Sequence, residues 1–253
     1  KWLNAMAPTN FLMTNPEVLK ATLDSRGENL VKGLTHVLED LERGKGSLRI
    51  SMTDRNAFAL GKNLAMTPGK VMFRNDLMEL IQYAPATKTV HQTPLLMIPA
   101  WINKYYILDL QPENSLVKYW VEHGYTVFMI SWVNPGDKHA HKTFDDYMME
   151  GPLAAMDAIE KATGEKKISI MAYCLGGTLT ATTLAWLKAK KQESRVASVT
   201  YLTTMVDFAE SGELSIFIDE EQLQMMETKM SEHGYLEGAD MATTFNMLRA
   251  NDL

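Results

Sequence analysis

Between residues 95 and 202, short and almost uninterrupted apolar runs alternate with longer amphipathic stretches, and no other feature limits the possible folds as tightly. Leu95–Ile98, Thr126–Ser131, Ile168–Ala172 and Val196–Leu202 have the length of strands and the apolar content of strands covered on both faces. The stretches between them, Pro112–His123, Phe144–Ala162 and Thr178–Lys190, are long enough for helices, and the first has Pro near its start and Gly124 past its end. Strand, helix and strand in repeated succession predict an α/β fold with a mostly parallel, doubly wound sheet and right-handed crossovers. After Asp207 the rhythm stops. Asp219–Glu232 and Asp240–Arg249 then read as two Met-bearing helices opening a helical cap, although a Met stripe at helical spacing is more often ordinary core than a binding surface.

Upstream, Asn15-Pro16-Glu17 starts a helix, and Leu19, Leu23, Leu30, Leu34, Val37, Leu38 and Leu41 predict one long amphipathic helix continuing to Gly44. Ser47–Met52 and Gly69–Phe73 read as short strands of an entry hairpin. With no repeat, low-complexity tract or flexible linker, the expected organisation is residues 1–207 as an N-terminal helix plus α/β core and residues 208–253 as the beginning of the cap.

Composition removes several function classes. A net charge of −6 argues against binding a phosphate backbone, so no nucleic-acid partner is expected. The apolar runs fall far short of the ~20 residues that span a bilayer, so no transmembrane segment is expected. A single cysteine excludes an intramolecular disulfide framework and a multi-Cys metal site; no metal is expected, and the thiol suits a reducing cytoplasm. The chain opens with Lys1-Trp2 and carries no basic-then-apolar leader, so no export signal is expected.

That cysteine stands in the most informative segment, Ile168-Ser169-Ile170-Met171-Ala172-Tyr173-Cys174-Leu175-Gly176-Gly177-Thr178. A buried strand runs into a small-x-Cys-x-Gly turn and then a helix, the pattern of a nucleophile elbow. The central residue of such a turn is held at positive φ, so the residues two before and two after must be small; Ala172 and Gly176 meet that demand. The turn lifts Cys174 over the sheet edge at a helix N-terminus, where the dipole favours thiolate, the reactive form. The alternative is an inert, buried cysteine at a strand end.

Acyl transfer at this position calls for two backbone N–H donors. One comes from the residue after the nucleophile, Leu175, and one from the loop after an earlier strand, where Trp101 and Ile102 are the candidates. It also calls for a base. His36, His91, His123, His139, His141 and His233 all sit at positions that suit solvated or packing residues, and the formal order Cys174, Asp207, His233 is disfavoured because His233 follows a charged helix.

The stretch Ala172–Thr178 closely resembles the lipase-box-like motif of polyhydroxyalkanoate synthases, in which Cys replaces the usual Ser of the α/β-hydrolase fold. Thr67–Val71, Trp101–Glu113, Ser131–Pro135 and Phe245–Leu253 resemble further blocks of the class I enzymes, with Ala100 where many relatives have a second Pro. The resemblance implies an acyltransferase that polymerises (R)-3-hydroxyacyl-coenzyme A into polyester and releases coenzyme A, with Cys174 holding the acyl chain. It implies no cofactor beyond the coenzyme A of the substrate, a cytoplasmic protein at the surface of polyester granules, and a homodimer of the full enzyme. It also places the acid and base of the triad, and the last strands of the sheet, beyond residue 253, so residues 1–253 alone are expected to be inactive. Two other readings stand beside it: a cysteine-dependent hydrolase resembling dienelactone hydrolase, and a non-catalytic fragment that docks on granules or dimerises through the cap.

Overall fold

The computed structural model describes residues 6–46, 48–51, 54, 56–212, 215, 219–238, 241 and 242. The chain divides into two units, residues 1–58 and 59–253.

In the first unit, α1 (Pro16–Asp24) begins as the sequence predicts, with the Asn15 side chain accepting from the N–H groups of Glu17 and Val18 at 2.9 and 3.3 Å. The single long helix does not form. The chain breaks after α1 and resumes as α2 (Glu28–Arg43), because Arg26 and Gly27 take φ of 52° and 87°, and the Gly27 N–H turns back to the Thr22 carbonyl at 2.8 Å. Only glycine takes such an angle without steric cost. Residues 48–51 form no strand, and Ser47 and Met52 lie outside the described residues. The N–H groups of this segment are already used at the end of α2: Arg49 donates to the Asp40 carbonyl at 3.3 Å and Ser51 to the Asp40 carboxylate at 3.2 Å.

The second unit is built on six strands, β1 (Gly69–Arg74), β2 (Met78–Tyr83), β3 (Leu95–Ile98), β4 (Val127–Trp132), β5 (Ile168–Tyr173) and β6 (Val196–Leu202), in the order β1-β2-β4-β3-β5-β6. The four strands read from the sequence pair in parallel. The hairpin partner of β1 is β2, which the sequence reading overlooks, and β2 also runs antiparallel to β4. Asn75 closes that hairpin by accepting from Leu77 and Met78 at 3.0 and 2.9 Å. At the opposite side of the sheet, β6 is an edge whose residues are partly or fully exposed.

Alternation along the central strands sorts the core into two layers. Leu96, Ile98, Phe128, Ile130, Ile170 and Ala172 belong to one buried cluster, and Leu95, Met97, Val127, Met129 and Met171 to the other. The first is covered by α4 (Phe144–Met148), α5 (Ala154–Thr163) and α6 (Leu175–Ala189), the second by α3 (Leu116–Glu122). Each large apolar side chain removed from water here contributes roughly 1.5–3 kcal/mol, which makes β3, β4 and β5 a rigid platform.

Helix limits shift where hydrogen bonding dictates. The helix expected from Pro112 starts only at Leu116, because Ser115 caps it by accepting the Lys118 N–H at 2.9 Å while donating to the buried Asp109 carboxylate at 2.5 Å. The helix expected over residues 144–162 is interrupted by a π-turn, Met149–Leu153, around Pro152, which has no N–H to offer the α-helical ladder. α6 begins three residues earlier than predicted. After β6 the chain continues to α7 (Glu220–His233); of the helix expected over residues 240–249, all but 241 and 242 lie outside the described residues. Among the described residues, no helix is long and apolar enough to cross a membrane.

Candidate active site

β5 ends at Tyr173 and α6 begins at Leu175, so one residue, Cys174, makes the whole connection. It does so at φ 53° and ψ −125°. A non-glycine residue in that region of conformational space is strained at a cost of order 1–3 kcal/mol and persists only where its surroundings fix it. Here they do. The Cys174 N–H donates to the Leu202 carbonyl at 2.9 Å, and its carbonyl receives the N–H groups of Gly177 and Thr178 at 2.8 and 3.3 Å. The Thr178 hydroxyl donates to the Met205 carbonyl at 2.7 Å, joining the start of α6 to the segment after β6. Cys174 is partly buried, neither sealed in the core nor fully exposed.

The small residues around the turn answer to separate constraints. Ala172 is fully buried. A Cβ on Gly176 would stand 2.7 Å from the Pro99 carbonyl oxygen and closer still to that of Ile98, so the first turn of α6 lies directly against the end of β3. A Cβ on Gly177 would instead overlap the Thr204 side chain, with Thr204 Cβ at 2.7 Å. Gly176 is thus held by backbone and Gly177 by a side chain.

Past β3, the chain turns at Ala100–Asn103, closed by the Asn103 N–H donating to the Ala100 carbonyl at 3.0 Å. Trp101 and Ile102 are the central residues of that turn. Among the described residues, no hydrogen bond is made by the backbone N–H of Trp101, Ile102 or Leu175. Trp101 packs on the rings of Phe144 and Tyr147, with centroids 6.1 and 5.7 Å away. Beside this loop lies a cavity of about 790 Å³, bordered by Trp101, Ile102, Lys104, Lys142, Tyr147 and Tyr235 among others; Cys174 is not in its wall. Lys104 bonds Asn134, and Lys142 forms an ion pair with Glu150 at 2.5 Å that raises the pKa of its ammonium. Burial raises that of the Tyr147 hydroxyl.

Among the described residues, no histidine bonds to Cys174. His139 is buried with both ring nitrogens engaged: Nδ1 accepts from the Gly136 N–H at 3.1 Å, which leaves Nε2 to donate to the Asp76 carbonyl at 3.1 Å. His123 Nδ1 meets the Tyr119 carbonyl at 2.7 Å, and His91 packs on Tyr125. His36 lies in the first unit, and His141 and His233 are exposed. Asp207 accepts the N–H of Ala209 at 3.0 Å.

Sequence reasoning misses one contact of this region. The indole Nε1–H of Trp132, the last residue of β4, donates to the Pro99 carbonyl at 2.8 Å. The two residues are 33 positions apart, and no local pattern signals the pairing.

Two sequence-family models match the chain: "Poly-beta-hydroxybutyrate polymerase (PhaC) N-terminus" over residues 1–120, and "alpha/beta hydrolase fold" over residues 93–239. Poly(3-hydroxyalkanoate) polymerase of Methylorubrum extorquens is 55% identical over 251 residues, covering 99% of this chain and 41% of that protein. The poly(3-hydroxyalkanoate) polymerase subunit PhaC of Rhizobium meliloti is 50% identical, covering 99% of this chain and 41% of its own length. The corresponding subunit of Cupriavidus necator is 46% identical, covering 100% of this chain and 43% of its own length. The chain therefore spans about two fifths of the length of these relatives. With its parallel sheet, its one-residue turn at Cys174 and these matches, the chain belongs to the α/β-hydrolase fold family, and over nearly its whole length it is similar to part of poly(3-hydroxyalkanoate) polymerases.

Proposed function

We propose that this chain is the nucleophile-bearing part of an acyltransferase that polymerises (R)-3-hydroxyacyl-coenzyme A into polyester. The observation that carries the reading is the strained, single-residue turn at Cys174, set between β5 and α6 in a chain half identical to polymerases over nearly its whole length.

In this reading the Cys174 thiolate attacks the thioester carbonyl, and the electron pair moves onto the carbonyl oxygen. The backbone N–H of Leu175 and one of those at Trp101 and Ile102 receive that oxyanion; all three lack a partner among the described residues, as donors held for a transient charge would. Collapse expels coenzyme A as its thiolate and leaves the acyl group on Cys174. The hydroxyl of the next unit then attacks this thioester, giving up its proton to a base, and an ester forms as the Cys174 thiolate departs. Sulfur suits the task, since exchange between thioesters is nearly balanced and thiolate is a good leaving group toward an alcohol.

His139 has no free nitrogen for the base, and no other histidine bonds to Cys174. The reading draws the base from the part of the protein that the relatives possess outside the matched region. Association with polyester granules, a cytoplasmic location, a homodimer and the absence of any cofactor beyond coenzyme A belong to the same proposal.

The test is incubation of the native-length protein with 3-hydroxybutyryl-coenzyme A. Expected are coenzyme A release, insoluble polymer and an acyl adduct on Cys174 by mass spectrometry, all lost in Cys174→Ala. Free 3-hydroxy acid as the sole product would make the protein a hydrolase instead.

A further inference from the structure

The bond from Trp132 to the Pro99 carbonyl stands where the loop after β3 meets the first turn of α6, the two segments of the proposed oxyanion site. Pro99 follows the last residue of β3, and its carbonyl oxygen faces Gly176 in the first turn of α6, where not even a Cβ fits. The ladder of β3 with β4 ends at Met97 and Met129 and its ladder with β5 ends at Ile98 and Ala172, and among the described residues no backbone N–H donates to the Pro99 carbonyl. The Trp132 indole fills that gap at 2.8 Å, in a buried setting.

The indole is itself held on two sides. A Cβ on Gly151 would stand 3.0 Å from Trp132 Cζ3 and closer to Cη2, so the ring lies flush against the π-turn Met149–Leu153; the Tyr147 ring closes another side at 5.6 Å. The π-turn formed around Pro152 places Gly151 against the ring.

We infer that Trp132 is a positioning residue for acyl transfer: by gripping the Pro99 carbonyl it fixes the plane of the Pro99–Ala100 peptide, and so the aim of the Trp101 and Ile102 N–H groups in the turn that follows. Without the indole N–H, the buried Pro99 carbonyl has no donor among the described residues, and rotation of that peptide would satisfy it elsewhere while turning the following N–H groups off target. Among the described residues, the hydrogen bond and ring contact of Trp132 go to Pro99 and Tyr147 and not to Cys174. The inference rests on the acyl-transfer reading above.

The test compares two reactions of Cys174 in the native-length protein, one that develops an oxyanion and one that does not. Acylation by 3-hydroxybutyryl-coenzyme A passes through a tetrahedral oxyanion; alkylation by iodoacetamide is a direct displacement at carbon. Trp132→Phe, and the isostere β-(3-benzothienyl)alanine at position 132, which replaces only the N–H by sulfur, should slow acylation about tenfold to a hundredfold. The apparent affinity for the thioester and the alkylation rate should stay unchanged. The isostere keeps the ring volume, so it decides the matter if the Phe variant folds poorly. Equal slowing of both reactions, or undiminished acylation by the isostere, would overturn the inference. Absence of acylation in the unsubstituted protein would overturn the functional reading, and this inference with it.

Discussion

Replacement of Gly176 by Ala is the most exacting perturbation of the turn, because the three atoms nearest to the added Cβ are all main chain. The added Cβ would lie 2.7 Å from the Pro99 oxygen and 2.8 Å from its carbonyl carbon, and nearer to the Ile98 oxygen, whereas ordinary contact begins at 3.4 Å. A shortfall of 0.6–0.7 Å at the Pro99 atoms, and more at Ile98, cannot be relieved by a rotamer change. Ile98 is fully buried in a central strand, so α6 must move away from β3. Overpacking of a rigid core costs 1–3 kcal/mol, and a backbone clash belongs at the upper end, about 3 kcal/mol. For a unit of this size that corresponds to a fall of about 6–12 °C in melting temperature. The assay pairs thermal unfolding with the rate of Cys174 alkylation, which should change as the turn opens. Gly33→Ala is the control: it lies inside α2 with nothing within 4 Å of an added Cβ, and it should stabilise by about 0.5–1 kcal/mol through helix propensity alone. A Gly176→Ala protein that melts within 2 °C of the parent, roughly what 1 kcal/mol would produce, and alkylates at the parent rate would refute the reasoning.

Gly177→Ala should also destabilise, but because its obstacle is the Thr204 side chain, adding Thr204→Gly should recover at least ~1 kcal/mol in a double-mutant cycle, with no such recovery for Gly176→Ala. The Tyr83 hydroxyl is buried without a partner among the described residues, and Tyr83→Phe should be neutral to stabilising by up to about 1 kcal/mol at pH 7 in urea titration. Burial, with the charges of Asp109 and Tyr105 adding to it, raises the pKa of this hydroxyl far above its ordinary value, so the folded state keeps a proton that the unfolded chain releases above pH ~10. Its contribution is complete below that pH and falls as pH rises, and the parent should lose more stability between pH 9 and about 11 than the Phe variant does. Asp109→Ala strips the acceptor from the Thr67 hydroxyl at 2.6 Å, the Ser115 hydroxyl at 2.5 Å and the Thr67 N–H at 3.3 Å. It should cost about 3 kcal/mol and speed amide exchange at residues 65–67.

What can be read directly from the sequence follows from how strongly local chemistry constrains each segment. β3, β4, β5 and β6 are legible as strands because apolar side chains on both faces permit few other arrangements at four to seven residues. β2 is overlooked because Met78-Glu79-Leu80-Ile81-Gln82-Tyr83 mixes polar and apolar residues without clean alternation, and only its two antiparallel neighbours define it. The breaks at Gly27 and Pro152 are each announced by one residue inside a strong helical pattern, and helical periodicity masks both. The turn at Cys174 is legible because a positive φ between strand and helix demands small residues at fixed offsets. The grip of Trp132 on Pro99 is not legible, since it depends on two strands lying side by side and on one ring's orientation.

The sheet is unevenly finished. β2, β3, β4 and β5 each have a neighbour on either side, while among the described residues no strand pairs with the outer side of β6, whose seven residues comprise four exposed and three partly buried ones. Such a rim is adhesive in proportion to its length and flatness. A preparation confined to these residues would therefore tend to zip rim to rim into dimers and larger aggregates. Its colloidal behaviour would then depend on backbone valence at the edge strands of the sheet, β1 as well as β6, together with the net charge of the surface.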